Sequence, residues 1–223
     1  MALHELEVFD TAPLAAMRCA EVIAERARAS VAQRGTFTLA LSGGSGPWQA
    51  FRLLHDEDVP WREVEIFQVD ERIAPAGDPD RNLTHMVESL PPAGWARMHP
   101  MPVEAADLEA AVTEYAALLP ERLHLVHLGL GPDGHTASLV PGDPVLDVRD
   151  QDVALTGGEY QGRRRMTLTY PMIDRSRELL WLVTGESKAE PLKLLLNGDP
   201  RIPAGRVRAE QSLIIADRAA AGS

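Results

Sequence analysis

The sequence predicts an α/β fold: a three-layer, open and mostly parallel sheet with helices on both faces, built by residues 1–223 as a single domain. Three observations carry this expectation. Strand-like and helix-like segments alternate over most of the chain, the pattern of a parallel sheet with crossover helices. Strand runs such as 36–41, 64–69 and 123–130 are largely apolar, as in strands buried on both faces. Four glycine-rich or charged motifs lie at the carboxyl ends of such runs, where open α/β sheets bind ligands. No linker, internal repeat or low-complexity tract interrupts the order.

Taken in order, residues 5–9 make a first strand. Thr11 is placed to cap the next helix, with Pro13 in its first turn; Leu14, Met17, Ala20, Val22, Ile23 and Ala27 recur at helical spacing, and Gly35 ends it. A strand over 36–41 leads through Ser-Gly-Gly-Ser-Gly-Pro (42–47) into a helix through Trp48 to Leu54. The strand over 64–69 ends on Asp70-Glu71-Arg72, and a loop rich in Pro, Gly and Asp covers 74–81. A helix from Asn82, a short strand near Met98 and a helical pattern over 104–119 follow. After the strand at 123–130, residues 143–152 have the composition of a surface excursion. Residues 165–170 alternate like a strand, 178–184 form another, Gly185 introduces a helix over 186–196, and 212–216 make the last strand.

With 33 acidic against 22 basic side chains the net charge is −11, which disfavours generic nucleic-acid binding. An acidic protein still binds a small anion if donors gather locally, so the placement of cations matters. Lysine is scarce: Lys188 and Lys193 stand against twenty arginines. The lone Cys19, in a helical run, excludes an intramolecular disulfide and reads as a small buried residue. No signal peptide and no apolar run of about 18 residues is present, so a cytoplasmic location without membrane contact is expected.

The richest stretch is 123–139. An apolar strand runs into a glycine turn that presents Asp133 and His135. Histidine titrates near neutrality and accepts a proton at physiological pH; a neighbouring carboxylate orients the ring or raises its basicity. A loop histidine without chemistry has the same outline, and the other six histidines carry no stronger signal. His124 and His127 lie three apart on a strand and make a poor metal pair. No zinc-ligand cluster is seen, and no metal or organic cofactor is expected.

In Ser42-Gly43-Gly44-Ser45-Gly46-Pro47 the glycines allow close backbone approach, and free amides at the helix start suit an anion. An ordinary strand-to-helix turn would look alike, and neither a dinucleotide fingerprint nor a P-loop is spelled. Asp70-Glu71-Arg72 is either a solvated strand end or an acceptor beside a guanidinium fork for oxygen anions. Arg163-Arg164-Arg165 is a solvated patch or an anion site. Lys188 lies in a first helical turn, where the dipole disfavours a cation unless it meets a ligand; a surface lysine is the alternative. Ser42 and Ser45 lack the Gly-x-Ser-x-Gly elbow, which favours water as nucleophile.

Together, Leu-Ser-Gly-Gly-Ser (41–45), Asp-Glu-Arg (70–72), Gly-Pro-Asp-Gly-His-Thr-Ala-Ser-Leu (131–139), Arg-Met-Thr-Leu-Thr (165–169) and Val-Thr-Gly-Glu-Ser-Lys-Ala (183–189) resemble the 6-phosphogluconolactonases, in the family's order and from the first helix to the last strand. The related glucosamine-6-phosphate deaminase/isomerases usually carry Asp-Gly-His-Ile-Ala-Phe in the third motif and a tyrosine where Arg72 stands; this sequence sides with the lactonases at both places. It departs at Gly46, where the family usually has threonine. One hydroxyl contact to phosphate would then be lost, about 1 kcal/mol net.

The resemblance implies a Rossmann-like fold of the sugar-phosphate isomerase/lactonase type and hydrolysis of 6-phospho-D-glucono-1,5-lactone without a cofactor. It places the phosphate against the amides of Gly43, Gly44 and Ser45, with Arg165 and Lys188 neutralising it. His135 becomes the base for water, Asp133 its orienting partner, Arg72 the stabiliser of the oxyanion or a hydroxyl, and Asp70 an ordering group. The expected partner is a phosphorylated sugar lactone, not nucleic acid or membrane, and the chain a monomer or weak homo-oligomer. Two rivals stand: a deaminase/isomerase with Asp70 as base, and a sugar-phosphate sensor, for which the expected helix-turn-helix extension has little room before the first strand.

Overall fold

The computed structural model describes residues 4–222. A seven-stranded, wholly parallel sheet forms its centre. In chain order its strands are β1 (Glu5–Phe9), β2 (Phe37–Leu41), β3 (Val64–Gln68), β5 (Met98–His99), β6 (Leu125–Leu128), β9 (Glu178–Val183) and β10 (Gln211–Asp217). Their spatial order is β1-β10-β9-β6-β2-β3-β5. The remaining strands, β4 (Asp70–Arg72), β7 (Val153–Leu155) and β8 (Arg165–Leu168), make a separate antiparallel sheet in the order β4-β8-β7. The helices are α1 (Ala12–Arg34), α2 (Ser45–Leu53), α3 (Asn82–Ser89), α4 (Leu108–Leu118), α5 (Tyr170–Asp174), α6 (Ala189–Leu196) and α7 (Arg218–Ala221).

The pleat explains why the central strands read as unbroken apolar runs. Leu180 and Leu182 of β9 pack on the core beneath α1, α2 and α3. Leu179, Trp181 and Val183 face the opposite core, which also takes α4, α6 and the small sheet. Small residues on α1, including Ala15, Ala16, Cys19, Ala20, Ala24 and Ala27, bring that long helix close to the sheet. Burial pushes the Cys19 thiol up to about 12, so it stays protonated and inert.

Several sequence expectations need adjustment. Thr11 is the N-cap of α1 in extended conformation, but its side chain makes no capping bond; Gly35 does close the helix, in the left-handed region at φ +76°. Lys188 ends a single 3-10 turn (Glu186–Lys188) and is the N-cap of α6 rather than a residue within it. The segment 143–152 is anchored: a 3-10 turn at Pro144–Asp147 buries Val145 and Leu146, and Asp143 accepts from the amides of Val145, Gly157 and Gly158. Among the described residues, no helix is long and apolar enough to cross a membrane.

The topology locates the crevice. From β2 the chain moves outward to β3 and β5, then returns to the other side of β2 as β6. Consecutive connections thus leave β2 and β6 in opposite directions, and the gap between their carboxyl ends is the switch point of the sheet. The loops following β2 and β6 are those at 42–44 and 129–137.

Candidate active site

The loop after β6 is a tight turn in which Gly131 N donates to His135 O (2.8 Å) and Gly134 N to Gly131 O (3.0 Å). It folds the imidazole back over the backbone of Gly131. A Cβ there would lie 2.0 Å from His135 Nδ1, so only glycine permits the approach. His135 Nδ1 lies 2.5 Å from Asp133 Oδ1, and Tyr160 OH donates to the other carboxylate oxygen at 3.0 Å. Burial works against a charge on Asp133, yet the hydrogen bonds from His135 and Tyr160 outweigh it and hold this carboxyl below its ordinary value. An ionised Asp133 takes the Nδ1 proton as its hydrogen bond, which leaves the lone pair on Nε2.

The loop after β2 enters α2 through Gly44, the N-cap. The first amides of α2 have no intrahelical acceptor by geometry, and Pro47 has none to offer. A Cβ on Gly43 would lie 2.0 Å from Asn82 Oδ1 and 2.9 Å from the Trp48 ring, so this glycine is fixed by close packing. Ser42 Oγ is 3.1 Å from Nδ1 of His127, a wholly buried histidine whose pKa burial lowers to about 3.

The small sheet supplies the cations. In the β4–β8 pair, Arg72 and Arg165 stand directly opposite each other. Like charges at such a position repel. The nearest opposite charge for Arg165 is the Asp70 carboxylate at 3.9 Å, and the Nε atoms of both arginines are buried without a partner among the described residues. Burial disfavours charge on Arg165, Asp70 favours it, and Arg72 disfavours it again. Two such guanidiniums call for an anion between or beside them. The expected arginine triplet resolves into three roles: Arg163 pairs with Asp78 and Asp80, Arg164 donates to Thr156 O, and Arg165 alone turns inward.

Asp70 is buried and engaged. Its carboxylate accepts from Ser138 Oγ (2.6 Å) and Asn82 Nδ2 (3.2 Å). Glu71, fully buried, accepts from the amides of Asn82 and Leu83 at the start of α3, from Arg72 N, and from Gln68, and pairs with Arg81. It thereby fixes Asn82, whose Oδ1 accepts from Arg72 at 2.6 Å.

An open pocket of about 280 Å³ gathers Gly43, Gly44, Ser45, Asp70, Arg72, His135, Arg165 and Lys188. All the sequence-derived site residues line it except Asp133, which stands behind His135. Burial lowers the Lys188 pKa while Asp133 raises it, which puts this lysine within the field of the Asp133–His135 pair.

Residues 10–215 match the family of glucosamine-6-phosphate isomerases and 6-phosphogluconolactonases. The chain belongs to this family. A 6-phosphogluconolactonase of Synechocystis sp. is 36% identical over 188 residues, covering 76% of this chain and 75% of that protein. One of Mycobacterium bovis is 33% identical over 240 residues, covering 97% and 96%. Among solved structures, a 6-phosphogluconolactonase from Shewanella baltica superposes with TM-score 0.86 at 25% identity, covering 97% of this chain and 98% of that one. A monomeric glucosamine-6-phosphate deaminase reaches 0.83 at 20% identity, covering 98% and 99%, which marks a shared fold.

In this isomerase/lactonase chain, sequence reasoning passed over Asn82, Ser138, Tyr160, Gln161 and Thr184. Asn82, Gln161 and Thr184 line the pocket, Ser138 holds Asp70, which does too, and Tyr160 holds Asp133 behind it. Ser138 lies inside the histidine motif, and Tyr160 inside Gly-Gly-Glu-Tyr-Gln-Gly (157–162), a run rich in turn signals.

Proposed function

We propose that the chain hydrolyses 6-phospho-D-glucono-1,5-lactone to 6-phospho-D-gluconate, the second step of the oxidative pentose phosphate pathway. The observation that carries this is one pocket holding both a paired arginine cluster beside a helix start and an imidazole with Nε2 free. The first end suits a phosphate dianion, the second a water molecule. Lactonases with overall identities above 30% across most of their length add support.

The phosphate lies against the amides of Gly43, Gly44 and Ser45, neutralised by Arg165 and Lys188. The opposition of Arg72 and Arg165 draws Arg72 to this anion as well, rather than leaving it apart at the carbonyl. His135 Nε2 takes a proton from water as its oxygen adds to the lactone carbonyl. The tetrahedral oxyanion collapses, the bond from carbonyl carbon to ring oxygen breaks, and the imidazolium returns the proton to that ring oxygen. The acid formed then ionises. General-base action of this kind contributes about 10²- to 10⁴-fold. Asp133 keeps the proton on Nδ1 throughout, and Asp70 holds Ser138 and Asn82 in place. With its oxygens so engaged, Asp70 is poorly placed as the mobile base an isomerase needs.

A coupled assay on freshly generated lactone, measured against the spontaneous rate, tests the activity. Ammonia release from glucosamine 6-phosphate tests the rival. His135→Asn should abolish most of the turnover in a folded protein, and near-normal turnover would remove His135 as the base. Lys188→Ala should weaken the phosphorylated lactone far more than glucono-1,5-lactone; equal losses argue against its phosphate role. We also place the enzyme in the cytoplasm, as a monomer or weak homo-oligomer without nucleic-acid partners, which fractionation and sedimentation check.

A further inference from the structure

Tyr160 makes contacts that the lactonase mechanism leaves unused. It sits at the tip of the β7–β8 hairpin. Tyr160 N donates to Arg163 O (2.9 Å) across a two-residue turn whose central residues, Gln161 and Gly162, both have positive φ (54° and 77°). That is the signature of a type I′ turn, and it costs Gln161 a conformation that side chains other than glycine, asparagine or aspartate rarely take. The hairpin is fixed at its base by Asp143, which accepts from Gly157 N and Gly158 N (3.0 Å each), and at its tip by the ion pairs of Arg163.

This hairpin places one phenol against three groups. The hydroxyl donates to Asp133 Oδ2 at 3.0 Å, and its oxygen is 3.2 Å from His135 Nδ1. The ring meets the imidazole edge-to-face with centroids 5.1 Å apart. Its face carries the Arg165 guanidinium, with Cζ 5.0 Å from the centroid, and Arg165 also donates to Tyr160 O and Gln161 Oε1 at 3.2 Å each. Burial and the Asp133 carboxylate both raise the phenol pKa, against Arg165, so the group is a donor throughout the neutral range.

We propose that Tyr160 is a positioning residue that ties the anion-binding end of the pocket to its proton-transfer end. Its hydroxyl fixes the Asp133 carboxylate and the plane of the His135 ring, and its aromatic face supports Arg165. An anion that settles on Arg165 thereby steadies the imidazole through one side chain. The phosphate then contributes to turnover as well as to affinity, and selects phosphorylated lactones over plain ones in kcat. This rests on the lactonase reading given above.

Two variants separate the halves of the contact. Tyr160→Phe keeps the ring under Arg165 and loses the hydroxyl. It should lower kcat about 10- to 100-fold, the effect of one hydrogen bond to a charged group, with KM little changed. The acid limb of its kcat/KM profile should move to higher pH, because Asp133 no longer shares its charge with the phenol. Tyr160→Leu removes the ring as well; KM for the phosphorylated lactone should rise, and the kcat advantage over glucono-1,5-lactone should shrink.

Nitrogen-15 spectra of the imidazole in the protein without substrate give a readout that does not depend on the reaction. Tyr160→Phe should move the imidazole nitrogen shifts, because Asp133 then holds the Nδ1 proton without the phenol beside it. Wild-type kcat, an unmoved pH profile and unmoved imidazole nitrogen shifts in a folded Tyr160→Phe protein overturn the proposal. So does a loss of thermal stability accompanied by none of these changes. Failure of the wild-type chain to outpace spontaneous hydrolysis would instead defeat the lactonase reading, while the spectra still judge the contact between Tyr160 and the His135–Asp133 pair.

Discussion

Replacing Gly131 with alanine puts a single methyl group under the His135 imidazole. The added Cβ would lie 2.0 Å from Nδ1, 2.2 Å from Cε1 and 2.7 Å from Asp133 Oδ1, where ordinary contact begins at 3.4 Å. The ring must retreat by about 1.4 Å. The backbone cannot give that distance easily, because Gly131 N is bonded to His135 O at 2.8 Å and the turn is closed again by Gly134 N. The imidazole therefore swings away from Asp133 and loses both the tautomer control and the aim of Nε2. A displacement near 1 Å at a reacting group costs about 10²-fold in rate. Gly131 has no positive φ, so alanine strains the side chains above it more than the backbone beneath. We therefore expect kcat on fresh lactone to fall at least about 10²-fold, with a much smaller change in the urea midpoint. A folded Gly131→Ala protein retaining kcat within about threefold of wild type would refute the claim that His135 must rest on this spot.

Three further outcomes follow from other positions. Gly46→Ala should stabilise by roughly 0.5–1 kcal/mol through helix propensity, since its Cβ meets only Thr184 Oγ1 at 3.4 Å and Leu182 at 3.6 Å; a lower Tm would contradict this. His127 has its pKa lowered from 6.5 to about 3 by burial, so the unfolded chain takes a proton that the folded one refuses. Its contribution is complete above pH 6.5 and is lost as pH falls from there toward 3, at up to about 1.4 kcal/mol per pH unit. Urea unfolding at several pH values should show this slope, and His127→Gln should flatten it. Asp174 is raised by burial from 3.8 to about 6, so its neutral form favours folding fully below 3.8, and that contribution is gone above 6. Asp174→Asn, which keeps an acceptor for Arg208 N, should then stabilise at pH 8 by about 1 kcal/mol after allowance for solvent screening, and by nothing measurable near pH 4.

The parallel strands were readable because burial on both faces leaves continuous apolar runs such as Leu179 to Val183. Of the small antiparallel sheet only β8 was, as the alternating run at 165–170. β7 has three residues and β4 spells Asp-Glu-Arg, which propensity assigns to a solvated loop. Glu71 overrides that tendency because the amides of α3, Gln68 and Arg81 satisfy its carboxylate, a set of partners gathered from separate segments. The histidine motif was legible since its partners are neighbours in sequence. The opposition of Arg72 to Arg165 depends on strand register, and the contact of Tyr160 with Asp133 on a hairpin turn; neither has a local signature.

The pairing of β1 with β10 has a consequence in time. His4 Nδ1 reaches Ser212 Oγ at 2.7 Å across 208 positions of sequence, and among the described residues β1 has no other partner strand in the sheet. On the ribosome, at about 5–20 residues per second, this first strand waits on the order of 10–40 s for its only neighbour to be made. Until β9 and then β10 are made, the apolar face of α1 lacks the strands that later cover it. β1 and α1, made well before β10, are thus among the last parts of this sheet to be seated, and the growing chain most needs a chaperone there.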